Sequence, residues 1–532
     1  MDGIGGRVVT SPNARTLAAW TAHLGREPDP EELVPQLGAG SLPHAFHAMA
    51  ADAPDAPALD IDGVTRTRGE LDAAAGRFAA LLRDRGVARG DVVLLAAPSS
   101  MQMVEAYLGI LRAGAAVLLA NPSYTQPELR HLAEHSGAAA GVAAGASLEA
   151  IGGLASELAA LGATIDVLTK EPAGYEPLAV EALDPDADAL LAYTSGTTGR
   201  PKAVPLSHAN VLSSIRSVML AWRWSRDDVL VHSLPLFHQH GLSGISATLL
   251  SGARAVIAGK FDAEATCRTI ERERGTILLA VPAMYERLVA WDGFAQARLD
   301  SLRLMVSGSA PLSPALAERV KDVWGSYPLE RYGTTESGLD VSNLYEGERR
   351  PGSVGLPLPG IELELVDDQG RPVPDGEDGE IVVSGPQVFA GYRGDAEATA
   401  GSFYAGGRFR TGDIGRRDPH DGFVSITGRA KELIISGGMN VYPREIELAL
   451  EESPAVARAA VVGVPSERWG EEVVAAVVCA PGAGVAEGEL IDFVRERLAP
   501  YKRPKRVVMM DELPVNHMGK VMRAELVRAL SG

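Results

Sequence analysis

Cysteine is nearly missing from this chain of 532 residues: Cys267 and Cys479 stand alone, with no pairing pattern. A disulfide framework is excluded, and a reducing compartment fits. Long hydrophobic runs are missing too, none reaching the roughly 18 residues of a membrane span. The opening MDGIGGRVV has no basic stretch ahead of an apolar core, so a cytoplasmic protein is expected. Positive charge is in deficit, 50 Lys and Arg against 69 Asp and Glu, for a formal net charge of −19. That balance argues against nucleic acid and against an anionic membrane as partners. No repeat of solenoid period is visible. What is present, 46% hydrophobic residues and 34 prolines, fits a globular protein too long for a single core, so two or more domains are expected.

Residues 1–45 carry few strong signals and read as an extension with loose helices. From Leu59, short apolar runs alternate with amphipathic helices: GELDAAAGRFAALLRDRG, DVVLLAA, the helix around MVEAYLGILRAG, AAVLLA, then DVLVHSLP, TILLAVP and LRLMVSGS. Alternation of this kind predicts parallel sheets and an α/β architecture. Residues 361–395 change character, because IELELVDDQGRPVPDGEDGEIVVSG reads as β-hairpins with Gly/Pro/Asp turns. After Gly428 a smaller α+β segment begins, and its glycine-rich, charged start, GRAKELIISGGMN, suits a hinge. The expected division is an extension over 1–45, a large domain of α/β and β-rich subdomains over 46–428, a hinge at 429–431 and a small mobile α+β domain over 432–532.

The stretch YTSGTTGRPKAVPLSH, from Tyr193 to His208, follows an apolar strand and gathers hydroxyls and glycines ahead of one lysine. It is not a Walker loop: two residues separate Gly196 from Gly199, Pro201 precedes Lys202 and Ala203 follows it. Ordinary P-loop phosphoryl transfer is therefore disfavoured. The ingredients still suit a polyphosphate. Glycines let backbone N–H groups approach, Thr194, Ser195, Thr197 and Thr198 donate, and Lys202 adds charge. A polar surface turn is the plainer alternative.

Further stretches carry chemistry. In ERYGTTESG, from Glu330 to Gly338, hydroxyls, an open backbone and one carboxylate make a phosphate-plus-Mg²⁺ site or a capped helix start. In RFRTGDIGRRDPHDGFVSITGRAKELI, Asp413 follows a tight turn, where a carboxylate accepts two ribose hydroxyls, and Arg429 stands at the entry to the last segment. A solvated turn and a surface ion pair are their alternatives. Lys520, in VNHMGKVMRAEL, is a solvated lysine unless other parts of the chain reach it. His238 and His240, in LPLFHQHGL, alternate along an extended segment. They suit a pocket wall better than zinc, since no Cys/His cluster completes a site.

In this order, the stretches resemble those of the adenylate-forming acyl-CoA synthetases, over residues 45 to the C-terminus. The resemblance implies that a carboxylate attacks the α-phosphate of ATP, pyrophosphate leaves, and the acyl-AMP is taken by a thiol, usually that of CoA. It further implies that Thr194, Ser195, Gly196, Thr197, Thr198 and Lys202 form the pyrophosphate loop. Thr335 contacts the α-phosphate, Glu336 binds Mg²⁺, Tyr332 lies beside the adenine, and Asp413 and Arg429 hold the ribose. Lys520 bridges the acyl carboxylate and the α-phosphate, His238 is counted with it as catalytic, Lys431 is the hinge, and Gly437 and Gly438 line the CoA tunnel. Ala203 departs from the glycine usual after the loop lysine, and residues 1–45 have no counterpart.

LPLFHQHGL, VPAMYERL, LMVSGSAPL and ERYGTTE look most like the malonyl-CoA and methylmalonyl-CoA synthetases. There, an arginine matching Arg287 meets a second carboxylate, with Ser307 or Ser309 adding a hydroxyl; an ordinary helix-surface arginine is the alternative for Arg287. SGGMNVYPREIE is closer to the fatty-acid and aryl-acid branches. The acceptor is CoA or, alternatively, a carrier protein or an amine, and some relatives activate nitrite for diazotisation. A small carboxylic acid is the expected substrate partner, with the enzyme a monomer or homodimer.

Overall fold

The structure, a computed structural model, describes residues 11–144, 164–167, 174–194, 202–436, 439–466, 468–498, 500–515 and 520–531. Among them the chain folds into four sheets. The strand Val92–Ala96, sequence VVLLA, is buried throughout and pairs in parallel with Ala116–Leu119 and Ala140–Ala143. Covered on both faces, such a strand has no place for alternate polar residues, so the run is continuously apolar. The flanking helices are cut where the local chemistry dictates. Arg68–Asp84 starts at a Thr67–Glu70 capping box, and Met101–Arg112 starts where Ser100 Oγ accepts from the Met103 N–H at 3.2 Å.

The second sheet holds six parallel strands side by side: Leu329–Tyr332, Leu304–Ser307, Ile277–Ala280, Val229–His232, Arg254–Ile257 and Pro57–Ile61. Their registers bring His232, Ala280, Ser307 and Glu330 to one edge, since Leu279 pairs with His232, Ala280 with Ser307 and Ser307 with Glu330. Carboxyl ends of parallel strands sharing an edge are where α/β folds place ligands. A third, antiparallel sheet contains Glu362–Val366, Asp378–Ser384, Arg408–Arg417 and Val424–Arg429, with the turn-rich residues 367–377 joining its first two strands. A 3₁₀ turn, Ala430–Glu432, leads from it into the C-terminal domain. There the long hairpin Val456–Ser466 and Gly470–Cys479 takes Arg506–Met509 alongside in parallel.

The N-terminal segment differs from expectation. Helices Ala14–Leu24 and Pro30–Leu37 are packed onto the main body, not loosely extended from it. Trp20 is fully buried and its indole N–H donates to the Ile361 carbonyl at 2.9 Å. Arg216 Nη1 caps the second helix through the carbonyls of Gln36, Leu37 and Ala39. The signals were local: Asn13 and Asp29 are side-chain N-caps, and Pro30 occupies the first turn. Among the described residues no helix is long and apolar enough to cross a membrane.

Candidate active site

The edge where the parallel strands end faces the C-terminal domain across a cavity of about 300 Å³. Tyr332, Asp413 and Arg429 meet there. The Asp413 carboxylate is 4% exposed. One of its oxygens accepts from the Tyr332 hydroxyl at 2.7 Å and the other lies 2.9 Å from Arg429 Nε. Burial, then the neighbouring Asp413 charge, pushes the Tyr332 phenol well above its ordinary pKa, so it stays a donor. Burial opposes the Arg429 charge, but Asp413 and Glu432 beside it raise the guanidinium pKa overall. Lys520, from the C-terminal domain, lines the same cavity, as do Ser307 and Ser309.

A second cavity, of about 230 Å³, lies on the other side of the strand end and is lined by His238, His240 and Thr335. Ser309, Arg331 and Gly333 wall both cavities. His238 precedes the helix Gln239–Ser251 and His240 lies in its first turn, so the two share a cavity wall, though not as residues of an extended segment. His240 Nδ1 is 2.9 Å from Ser309 Oγ. Burial, then the Arg331 charge, drives the His240 pKa well below its usual value, leaving the ring neutral. Ser309 has φ +67°, a left-handed backbone that costs a non-glycine residue about 1–3 kcal/mol and recurs at ligand sites.

TTESG forms a compact turn rather than a helix start: the Gly338 N–H donates to the Thr334 carbonyl at 2.9 Å. A side chain at Gly333 would place its Cβ 1.9 Å from the Gly338 carbonyl oxygen, so only glycine admits this fold-back. Glu336, on that turn, accepts from the Tyr392 hydroxyl at 2.9 Å. Thr194 and Lys202 are register partners on antiparallel strands, which staples the two ends of the Gly/Thr loop together. Ser195, Gly196, Thr197 and Thr198 lie outside the described residues, as do Gly437 and Gly438. Ala203 is buried at the strand start. Lys431 lies in the 3₁₀ turn between the β-rich sheet and the C-terminal domain.

Among the described residues no group of three or more His, Cys, Asp and Glu could hold a metal. Glu336, with one oxygen engaged by Tyr392, fits Mg²⁺ in the manner usual for that ion, through one carboxylate together with substrate phosphates and water.

Arg287 does not reach either cavity. It occupies the exposed side of helix Pro282–Ala290, its guanidinium 4.9 Å from the Phe261 ring centre, while Glu286 faces the first cavity. Arg331, by contrast, lines both cavities. Its side chain is half-buried, desolvation lowers its pKa to about 10, and its buried Nε has no hydrogen-bond partner among the described residues. Sequence reasoning passed over it. The available signal was a charged residue on a strand of an otherwise buried parallel sheet. Tyr392 was missed as well, and nothing in FAGYRGD singles it out.

Residues 46–393 match the AMP-binding enzyme family and residues 445–520 its C-terminal domain. The chain belongs to this family. It is an adenylate-forming enzyme of the acyl-CoA synthetase class, working with ATP, Mg²⁺ and CoA. A feruloyl-CoA synthase of Amycolatopsis sp is 36% identical over 92% of this chain and 99% of its own. An oxalate–CoA ligase of Arabidopsis thaliana is 33% identical over 92% and 98%. ATP-bound MatB from Rhodopseudomonas palustris superposes with a TM-score of 0.87 at 36% identity, over 92% of this chain and 99% of that one.

Proposed function

We propose that this ligase activates a short dicarboxylic acid, with malonate as the model, and transfers it to the thiol of CoA. The observation that carries this is Arg331, a half-buried guanidinium on the wall of a small cavity whose buried Nε has no hydrogen-bond partner among the described residues. A partly desolvated cation with an unsatisfied donor is unfavourable, so an anionic group on the ligand completes the site. Ser309 and neutral His240 add hydrogen-bonding groups to the same wall.

In this scheme the loop from Thr194 to Lys202 holds the β- and γ-phosphates, Thr335 the α-phosphate, Asp413 and Arg429 the ribose, and Tyr332 the adenine. Glu336 holds Mg²⁺, which when bound offsets phosphate charge. The first carboxylate, flanked by His238, forms its P–O bond to the α-phosphorus as pyrophosphate leaves. Lys520 balances charge where the two anions meet. Rotation of the small domain about Lys431 then brings Gly437 and Gly438 to the thiol's path, and sulfur displaces AMP from the acyl carbon.

Pyrophosphate exchange over a panel of acids, with and without CoA, tests this. Malonate should exceed butyrate by roughly two to three orders of magnitude in kcat/KM. Arg331→Met should erase that preference and Arg287→Ala should leave it. If ferulate, benzoate, a fatty acid or nitrite exchanges best in the wild type, the dicarboxylate assignment fails while adenylation stands. Turnover with an amine or carrier protein but not with CoA would overturn the acceptor.

A further inference from the structure

Tyr392 belongs to none of the motifs above, yet it joins two of them. Its hydroxyl donates to Glu336 Oε1 at 2.9 Å, and the ammonium of Lys202 stands 4.6 Å from the centre of its ring. Its own placement is fixed independently of either contact. Its backbone N–H donates to Thr399 Oγ1 at 2.9 Å, and its ring meets Phe389 edge-on at 5.0 Å. The segment carrying it is pinned on both sides. The Phe389 N–H donates to the Glu336 carbonyl at 2.9 Å, and the Arg393 N–H to the Ala203 carbonyl at 3.0 Å.

We infer that Tyr392 is a positioning residue for magnesium polyphosphate, orienting the Glu336 carboxylate through its hydroxyl and the Lys202 ammonium through its ring. This rests on the assignment of Glu336 to Mg²⁺ and of Lys202 to the terminal phosphates. A carboxylate that accepts from a fixed phenol loses its freedom to rotate and presents Oε2 to the cation. Outer-shell partners of this kind change metal affinity by 10–100-fold when removed. The aromatic face is attractive to an ammonium, so Lys202 has a defined place over the same ring when no phosphate is bound. Two groups on different subdomains are thereby set for one ligand before it arrives.

Calorimetric titration with ATP in the absence of acid and CoA, once with Mg²⁺ and once with EDTA, separates the two contacts. AMP, which lacks the terminal phosphates, is the control for folding and for the ribose site. In Tyr392→Phe the magnesium-dependent gain in ATP affinity should fall about tenfold, with ATP in EDTA and AMP both near wild type. Tyr392→Leu should show the same loss and, in addition, weaker ATP binding in EDTA, because Lys202 loses its support. A full magnesium gain in Tyr392→Phe would overturn the inference, and so would an equal loss of AMP binding, which would mark a structural role. Glu336→Gln distinguishes the two levels. If it also keeps the gain, the metal assignment itself is wrong. If it alone loses the gain, only the role of Tyr392 falls.

Discussion

Glu330 shows how strongly a single position is set by its surroundings. The carboxyl is 7% exposed and accepts from the Gly352 N–H at 2.9 Å. Burial raises its pKa from 4.5 to about 8, against the pull of that hydrogen bond and of Arg444. The folded state therefore keeps a proton that the unfolded chain loses near its ordinary pKa. Stability should fall as pH rises between those two values and change no further above the upper one, each unit of displacement being worth about 1.4 kcal/mol. Glu330→Gln should remove this slope, leaving the variant relatively more stable at pH 9 than at pH 5. Urea midpoints of both proteins against pH check it, and a difference that does not vary with pH would mean Glu330 stays ionised. Its neighbour Arg331 and the rejected Arg287 mark how far sequence reaches at this scale. ERYGTTE was legible as a site, but which member faces which cavity depends on strand alternation at a sheet edge. Along a helix, one residue is a turn of 100°, enough to put Glu286 rather than Arg287 at the wall.

At the scale of elements, the parallel strands were readable because burial on both faces demands uninterrupted apolar runs, and the antiparallel hairpin because of its Gly/Pro/Asp turn. DVVLLAA, TILLAVP and LRLMVSGS each contain the strand they predicted. The first two helices were not readable as packed elements, since their partners are the distant residues Ile361 and Arg216. Trp20→Ala removes a fully buried side chain and an indole hydrogen bond, and such truncations cost about 3–5 kcal/mol. A lower unfolding midpoint is expected, where a detached extension would show no change. The turn Ala430–Glu432 carries a different expectation. Lys431→Pro fixes φ near −65° and should favour one orientation of the C-terminal domain, so one half-reaction falls much further than the other. Acyl-AMP formation and thioester formation, measured separately, decide it. Full turnover in both would move the pivot elsewhere.

On the whole molecule, the two half-reactions make different demands on one cavity. Lys520 reaches it from the C-terminal domain, opposite Asp413 and Tyr332. Lys520→Ala should depress acyl-AMP formation by orders of magnitude and largely spare thioester formation from supplied acyl-AMP. Equal losses would refute a lysine used in only one arrangement. The family and its fold were legible over most of the chain because the motifs retain their order. The acid was not, because the cavity proposed for it is assembled from the helix after His238, the strand end at Arg331 and the Ser309 turn. Those three are far apart in sequence, and their meeting depends on sheet register. The wall made by Ser309, Arg331 and Gly333 has two sides. With acid and nucleotide seated as proposed, an acyl-adenylate spans this wall, its acid end in one chamber and its nucleotide end in the other. To escape, it must let go at both ends at once, whereas free acid or AMP needs to let go at only one. The intermediate is thus detained by its own length, for as long as the thiol takes to arrive.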